Sequence, residues 1–290
     1  MASQITATPA GRVILAGRGH PMAALDTGAG QGTAGVHSPT VVMLPGYTGS
    51  KEDFAPILEP LAHSGIRAIA LDLPGQFESP GPDDEQFYRP AGLGPVIAEV
   101  VASLPAPVVL LGHSYGGMVA RAAVDAGAAV AGLILLCSGP AAFTGGARLD
   151  ALRTGGPLLR EHGVAAAWAL RQATTESLRG TDSEPAELIA FRERRFLATS
   201  EVSLLGMAGA LIDDPDTVGR TVAALAGRPC AVLAGEHDDA WPLDEQRDMA
   251  RRLGTELVLL PGAAHSPAVE NPDGLLLVLV DLVRRWTASP

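Results

Sequence analysis

The sequence predicts an α/β protein: a mostly parallel, eight-stranded sheet flanked by helices, with a block of helices inserted before the last two strands. Three observations predict it. Short apolar runs rich in β-branched residues recur, each closed by Gly or Pro. Helix-spaced segments of roughly ten to fifteen residues separate them, which is the pattern of βαβ units. The alternation stops near Pro140 and resumes near residue 227. The runs are apolar throughout instead of alternating, as expected for strands covered on both faces.

In chain order, residues 12–16 and 22–25 read as two weaker strands in a Gly-rich context. Residues 40–44 are a buried strand ending at Pro45-Gly46, and Phe54, Ile57, Leu58 and Leu61 give 54–64 a helical face that stops at Gly65. Residues 66–71 form the next strand, closed by Pro74-Gly75, and the Gly/Pro-rich stretch 80–95 reads as a surface loop. Val96, Ile97, Val100 and Val101 make 93–104 helical. Strand 107–111, helix 115–126 and strand 130–136 complete the first part. Residues 141–226 carry only helical or loop patterns, with helices at 164–174, 187–199 and 203–212. Strand 230–234, helix 243–253, strand 255–260 and a buried terminal helix at 274–286 follow. The organisation is therefore a core of 1–140 and 227–290 with a helical cap of 141–226 over the carboxyl edge of the sheet.

At 290 residues and 47% hydrophobic content the chain can bury one large core. Aromatics are only 4%, so Val, Leu, Ile and Ala must build it. Lys51 is the sole lysine, and the formal charge of −11, without a clustered basic face, argues against a nucleic-acid partner. No apolar run reaches membrane-spanning length and no secretory leader is visible, so a cytoplasmic protein without membrane association is expected. Cys137 and Cys230 fall toward opposite ends of parallel strands, too far apart for a disulfide, and no metal-ligand spacing exists. Neither metal nor cofactor is expected.

The informative segment is Gly112-His113-Ser114-Tyr115-Gly116, which follows a strand and opens a helix. A nucleophilic serine needs such a sharp strand-to-helix turn with small neighbours, so that its Oγ stands clear at the sheet edge. The helix start adds backbone N–H donors and the positive end of a dipole. A hydroxyl becomes nucleophilic only when a base takes its proton. His265, in a loop past strand 255–260, reaches the same carboxyl edge and is the chosen base; His237 is second. His20, His37, His63 and His162 have no comparable placement. A carboxylate must fix the base's tautomer. Strand 230–234 runs into Gly235-Glu236-His237-Asp238-Asp239, which offers Asp238, with Asp239 and Glu236 as alternatives.

The order Ser, Asp, His along the chain resembles the α/β-hydrolase superfamily, in its serine-nucleophile form with a helical cap. The likeness extends to 265–272 (His-Ser-Pro-Ala-Val-Glu-Asn-Pro), to Leu44-Pro45-Gly46-Tyr47, similar to the oxyanion loop of these enzymes, and to Asp72-Leu73-Pro74-Gly75. It implies an oxyanion hole made by the Tyr47 and Tyr115 backbone N–H groups. Pro45 stands where many relatives carry histidine, which leaves open what holds that loop. Serine at the elbow excludes the aspartate-nucleophile branch.

In the insertion, Phe143, Trp168, Phe196 and Met207 are candidates for an apolar substrate pocket. Arg192, Arg194 and Arg195 read as a solvated face paired with Glu187 and Glu193. The function expected is hydrolysis of a small to medium, largely apolar ester, thioester or lactone through an acyl-enzyme on Ser114. Elimination, C–C cleavage or cyclisation by the same three residues is the alternative, and a non-catalytic ligand-binding protein a further one. The partner is a small-molecule substrate; a homo-oligomer stays open.

Overall fold

The computed structural model describes residues 3–28, 38–179 and 184–288, with the side chains of 174–179 excepted. Eight strands form one sheet. They are β1 (Gly11–Gly17), β2 (His20–Asp26), β3 (Thr40–Leu44), β4 (Arg67–Leu71), β5 (Val108–His113), β6 (Gly132–Leu136), β7 (Cys230–Gly235) and β8 (Leu257–Leu260). Their order is β1-β2-β4-β3-β5-β6-β7-β8. Only the pairings of β2, with β1 and β4, are antiparallel; β3 to β8 run parallel.

The strand side chains alternate between two cores, as the pleat requires. Val41, Met43, Val109, Leu111, Ile134 and Leu233 face one side, with helices α1 (Ala55–His63) and α10 (Pro272–Thr287) and the short α9 (Pro267–Glu270). Val42, Leu44, Leu110, Leu133, Leu135 and Val232 face the other, with α2 (Pro90–Ser103), α3 (Tyr115–Asp125), α7 (Val218–Leu225) and α8 (Leu243–Arg252). Two covered faces account for central strands that are apolar along their middles, the polar Thr40 and His113 lying only at the ends of β3 and β5.

Between β6 and β7 lie α4 (Ala147–Arg179), α5 (Ala186–Ala198), α6 (Glu201–Asp213) and α7. Helix α4 packs on α5 and α6, whereas α7 packs on α3 and α8 beside the sheet. A break at Gly163, with φ 76° and ψ −179°, divides α4 into two helical arms. One fully buried arginine holds both ends of the insertion. Arg121, on α3, donates to the carbonyls of Gly139 and Pro140 at its start and to Thr217 Oγ1 at its end.

The structure departs from the sequence reading in several places. The stretch 80–95 is not all loop: a 3₁₀ turn occupies Glu85–Tyr88 and α2 starts at Pro90, where the fixed φ of proline suits a first helical position. Strand β8 is the sheet edge, so its Val258 and Leu259 are exposed. Terminal helix α10 is amphipathic: Leu275, Leu279, Leu282 and Val283 are buried while Leu277 is 74% exposed. Cys137 is buried and Cys230 half-buried, both as free thiols. No single helix among the described residues is long and apolar enough to cross a membrane.

Candidate active site

The site forms where the carboxyl ends of β3, β5, β7 and β8 meet. Ser114 sits between β5 and α3 with φ 55° and ψ −122°, a strained backbone for a residue with a side chain. Its neighbours explain how the turn closes. A Cβ on Gly112 would lie 2.2 Å from the Gly116 carbonyl oxygen, and one on Gly116 would lie 2.5 Å from the carbonyl oxygens of Leu44 and Pro45. Both positions admit only glycine without a shift of the backbone. The Ser114 N–H donates to the Leu136 carbonyl at 2.9 Å, which ties the turn to β6.

His265 lies in the loop after β8, and its Nε2 is 2.9 Å from Ser114 Oγ. Its Nδ1 is 2.8 Å from Asp238 Oδ1. A carboxylate only accepts, so Nδ1–H donates to it and Nε2 is left to accept from the serine hydroxyl. Of the three acids on that loop, Asp238 alone makes this contact. Asp239 is exposed and paired with Arg148, and Glu236 Oε2 accepts from the Gly262 N–H. His237 is exposed beside Glu236. His37 lies outside the described residues.

The Asp238 side chain is fully enclosed. Burial pushes its carboxyl up, but the hydrogen bond and charge of His265, the Ala240 N–H and Gln246 outweigh this and hold it below the usual carboxylate range. It therefore stays an anion beside His265. Gln246, on α8, donates from Nε2 to Asp238 Oδ2 at 2.8 Å and to the Trp241 carbonyl at 3.0 Å. Glu270 accepts the N–H groups on both sides of His265, from Ala264 at 2.7 Å and Ser266 at 3.0 Å. His113 turns away from Ser114, and its Nε2 meets the His265 carbonyl at 2.6 Å. The sequence reading missed these supports. Gln246 carries no local signal, whereas Glu270 lies inside the very segment that resembles known relatives.

Gly46 packs directly on the serine: a Cβ there would lie 3.0 Å from Ser114 Cβ and 3.4 Å from Oγ. That brings the Gly46–Tyr47 peptide beside the hydroxyl, and Tyr115 is the first residue of α3. Neither the Tyr47 nor the Tyr115 N–H donates to a protein acceptor among the described residues. The Tyr115 phenol is anchored elsewhere, on the Tyr88 carbonyl. Tyr47 is half-buried, and burial raises its hydroxyl to about 12.

The four candidate pocket residues separate. Trp168 and Phe196 pack with ring centroids 5.6 Å apart at a tilt of 44° and join Leu159, Leu204 and Leu205 in a cluster that touches Tyr47. Phe143 instead packs on Trp241 at 4.5 Å, and Met207 is wholly enclosed. Only Trp168 of the four keeps more than a trace of exposed surface. Two of the arginines are ion-paired, though not with the expected partners: Arg192 pairs with Glu184 and Arg195 with Asp53, while Arg194 lies over the Phe191 ring.

Residues 41–276 match the model of the alpha/beta hydrolase family. The chain belongs to that family. Among curated relatives it is 28% identical to a pimeloyl-[acyl-carrier protein] methyl ester esterase of Xanthomonas axonopodis pv. citri, over 87% of this chain and 96% of that protein. It is also 28% identical to a 2-succinyl-6-hydroxy-2,4-cyclohexadiene-1-carboxylate synthase of Escherichia coli O7:K1, over 85% of this chain and 94% of that one. Among solved structures, a thermophilic esterase from Thermogutta terrifontis superposes with a TM-score of 0.74 at 23% identity, covering 96% of this chain and all of that one. An enol-lactonase from Burkholderia xenovorans superposes with a TM-score of 0.72 at 19% identity, covering 93% and 99%. These likenesses establish the eight-stranded hydrolase fold with its helical insertion.

Proposed function

We propose that the protein is a serine esterase that cleaves small to medium, largely apolar esters, thioesters or lactones through an acyl-enzyme on Ser114. The observation that carries this reading is the continuous relay from Ser114 Oγ through His265 to Asp238, at 2.9 and 2.8 Å. Ser114 Oγ attacks the substrate carbonyl carbon while His265 Nε2 takes its proton. The negative charge that develops on the carbonyl oxygen is held by the Tyr47 and Tyr115 N–H groups, each worth about 3 kcal/mol of barrier lowering in comparable sites. His265 then protonates the leaving alkoxide, thiolate or ring oxygen, which departs and leaves the acyl group on Ser114. In the second half, His265 takes a proton from water, the hydroxide attacks the acyl carbon, and Ser114 recovers its proton as the acid leaves. Asp238 holds the tautomer throughout and stabilises the imidazolium.

Helices α4 to α6, within 141–226, serve as the cap over this site. The cluster of Leu159, Trp168, Phe196 and Tyr47 supplies the apolar wall that receives the acyl chain. The named relatives act on a methyl ester and, in the second case, as a synthase. That second name motivates the other reading, a non-hydrolytic reaction by the same three residues. Turnover of p-nitrophenyl acetate, butyrate and octanoate separates the two. Hydrolysis that Ser114→Ala abolishes supports the esterase. An intact protein that turns over none of the three favours the non-hydrolytic reaction.

A further inference from the structure

We infer that Gln76 is the residue that aims the oxyanion-hole donor of Tyr47, in place of the loop histidine that this chain lacks. The inference rests on the esterase reading and deepens it. Gln76 lies in the turn after β4 and is completely buried. Its Oε1 accepts the Leu73 N–H at 3.1 Å, so its amide orientation is fixed and Nε2 is the donating end. That Nε2 donates to the Gly46 carbonyl at 2.9 Å.

The consequence follows from peptide geometry. The Gly46 C=O and the Tyr47 N–H belong to one planar unit, and in a trans peptide they point in opposite directions. The only cis bond among the described residues is Ala106–Pro107. Holding the carbonyl toward Gln76 therefore turns the N–H the other way, out of the turn and into the space beside Ser114, against which Gly46 is packed. The Gly49 N–H, 3.0 Å from the same carbonyl, closes the loop on itself but cannot fix it relative to the sheet. Gln76 can, because its turn is anchored independently. The Asp72 N–H donates to the Ala23 carbonyl of β2 at 2.8 Å, and the Ser79 hydroxyl donates to the Asp72 carbonyl and accepts the Ala23 N–H, each at 2.9 Å. At the far end of the Gly46 loop, Asp72 accepts the Lys51 backbone N–H at 2.7 Å and its ammonium at 2.8 Å. The two loops are thereby clamped together at both ends, with Gln76 as the contact nearest the serine.

Gln76 touches no reacting atom, so it is a positioning residue, and its loss should weaken the transition state more than substrate binding. Gln76→Leu removes the acceptor for Leu73 and the donor to Gly46. Gln76→Met removes both with little change of volume. For the full-length protein with a p-nitrophenyl ester, each variant should lower kcat roughly ten- to a hundredfold with KM within about twofold, a fraction of what losing a whole donor costs. Affinity for a trifluoromethyl ketone, whose adduct with Ser114 places an oxyanion in the hole, should fall by a similar factor. Thermal stability is measured alongside. An active wild type with unimpaired Gln76→Met overturns the inference and leaves the esterase reading intact. So does a loss of kcat that tracks thermal destabilisation with no loss of ketone affinity. A wild type that neither hydrolyses esters nor binds the ketone overturns both.

Discussion

His113 Nε2 lies 2.6 Å from the carbonyl oxygen of His265, so the residue before the serine holds the backbone of the base. A carbonyl only accepts, and Nε2 must therefore carry the proton. Burial, with the neighbouring charge of His265, depresses the His113 imidazole to about 4, so it is neutral wherever the site works. The contact is thus a permanent neutral hydrogen bond.

Its pH signature can be measured. In the unfolded chain a histidine titrates near 6.5. Between about 6.5 and 4 the unfolded state binds a proton that the folded state refuses, so His113 makes stability fall as pH falls through this window, by about 3 kcal/mol in all. Asp72 acts oppositely. Burial raises its carboxyl to about 6 despite Lys51, so stability is gained as pH falls from about 6 to the unfolded value. The wild-type profile alone therefore conceals both. Denaturant titrations of His113→Gln, which keeps an N–H donor, should show the variant gaining on the wild type as pH drops from 7 to 4.5. Parallel profiles would contradict the assignment.

Asp238 and Asp239 are adjacent in sequence and opposite in circumstance. Asp238 is buried against His265, whereas Asp239 is exposed beside Arg148. Asp238→Asn removes the negative charge and turns one of the two acceptor oxygens into an NH2 donor, so the imidazole tautomer is no longer held, and kcat should fall by roughly 10³–10⁴. Asp239→Asn should leave it within about twofold, an exposed pair being worth little. Ester turnover of the two variants decides the matter.

Arg121 tests how the insertion is fastened. Its guanidinium serves carbonyls at one end of the inserted segment and Thr217 at the other. Arg121→Met keeps the packing and leaves those acceptors without donors, at roughly 1–3 kcal/mol for each one buried. Thermal unfolding should shift down by roughly 5 °C, as a net loss of about 3 kcal/mol implies at about 2.1 cal/mol/K of unfolding entropy per residue. An unchanged transition would show that the insertion is held by its apolar contacts alone.

What the sequence revealed follows from how local each feature is. Ser114 was legible because its strand, turn and helix are contiguous and because Gly112 and Gly116 cannot carry a side chain there. The sheet was legible because central strands covered on both faces are apolar except at their ends. Asp238 could not be told from Asp239 or Glu236, because which carboxylate faces inward depends on a loop resting on Ala263 and Gln246. The supports were less legible still. His113 meets a partner 152 residues away and Gln76 one 30 residues away, and no spacing rule links such pairs. The arm of α4 before Gly163 was hidden because Gly155, Gly156 and Pro157 interrupt its helical patterning, and α7 by its position at the end of a helical block.

The central claim is that Ser114 is an activated, accessible nucleophile. Intact-protein mass after exposure to a fluorophosphonate, for the wild type and Ser114→Ala, tests it most directly. The wild type should carry a single covalent phosphonyl adduct and the variant none. An unmodified wild type, or equal labelling of both proteins, would contradict it.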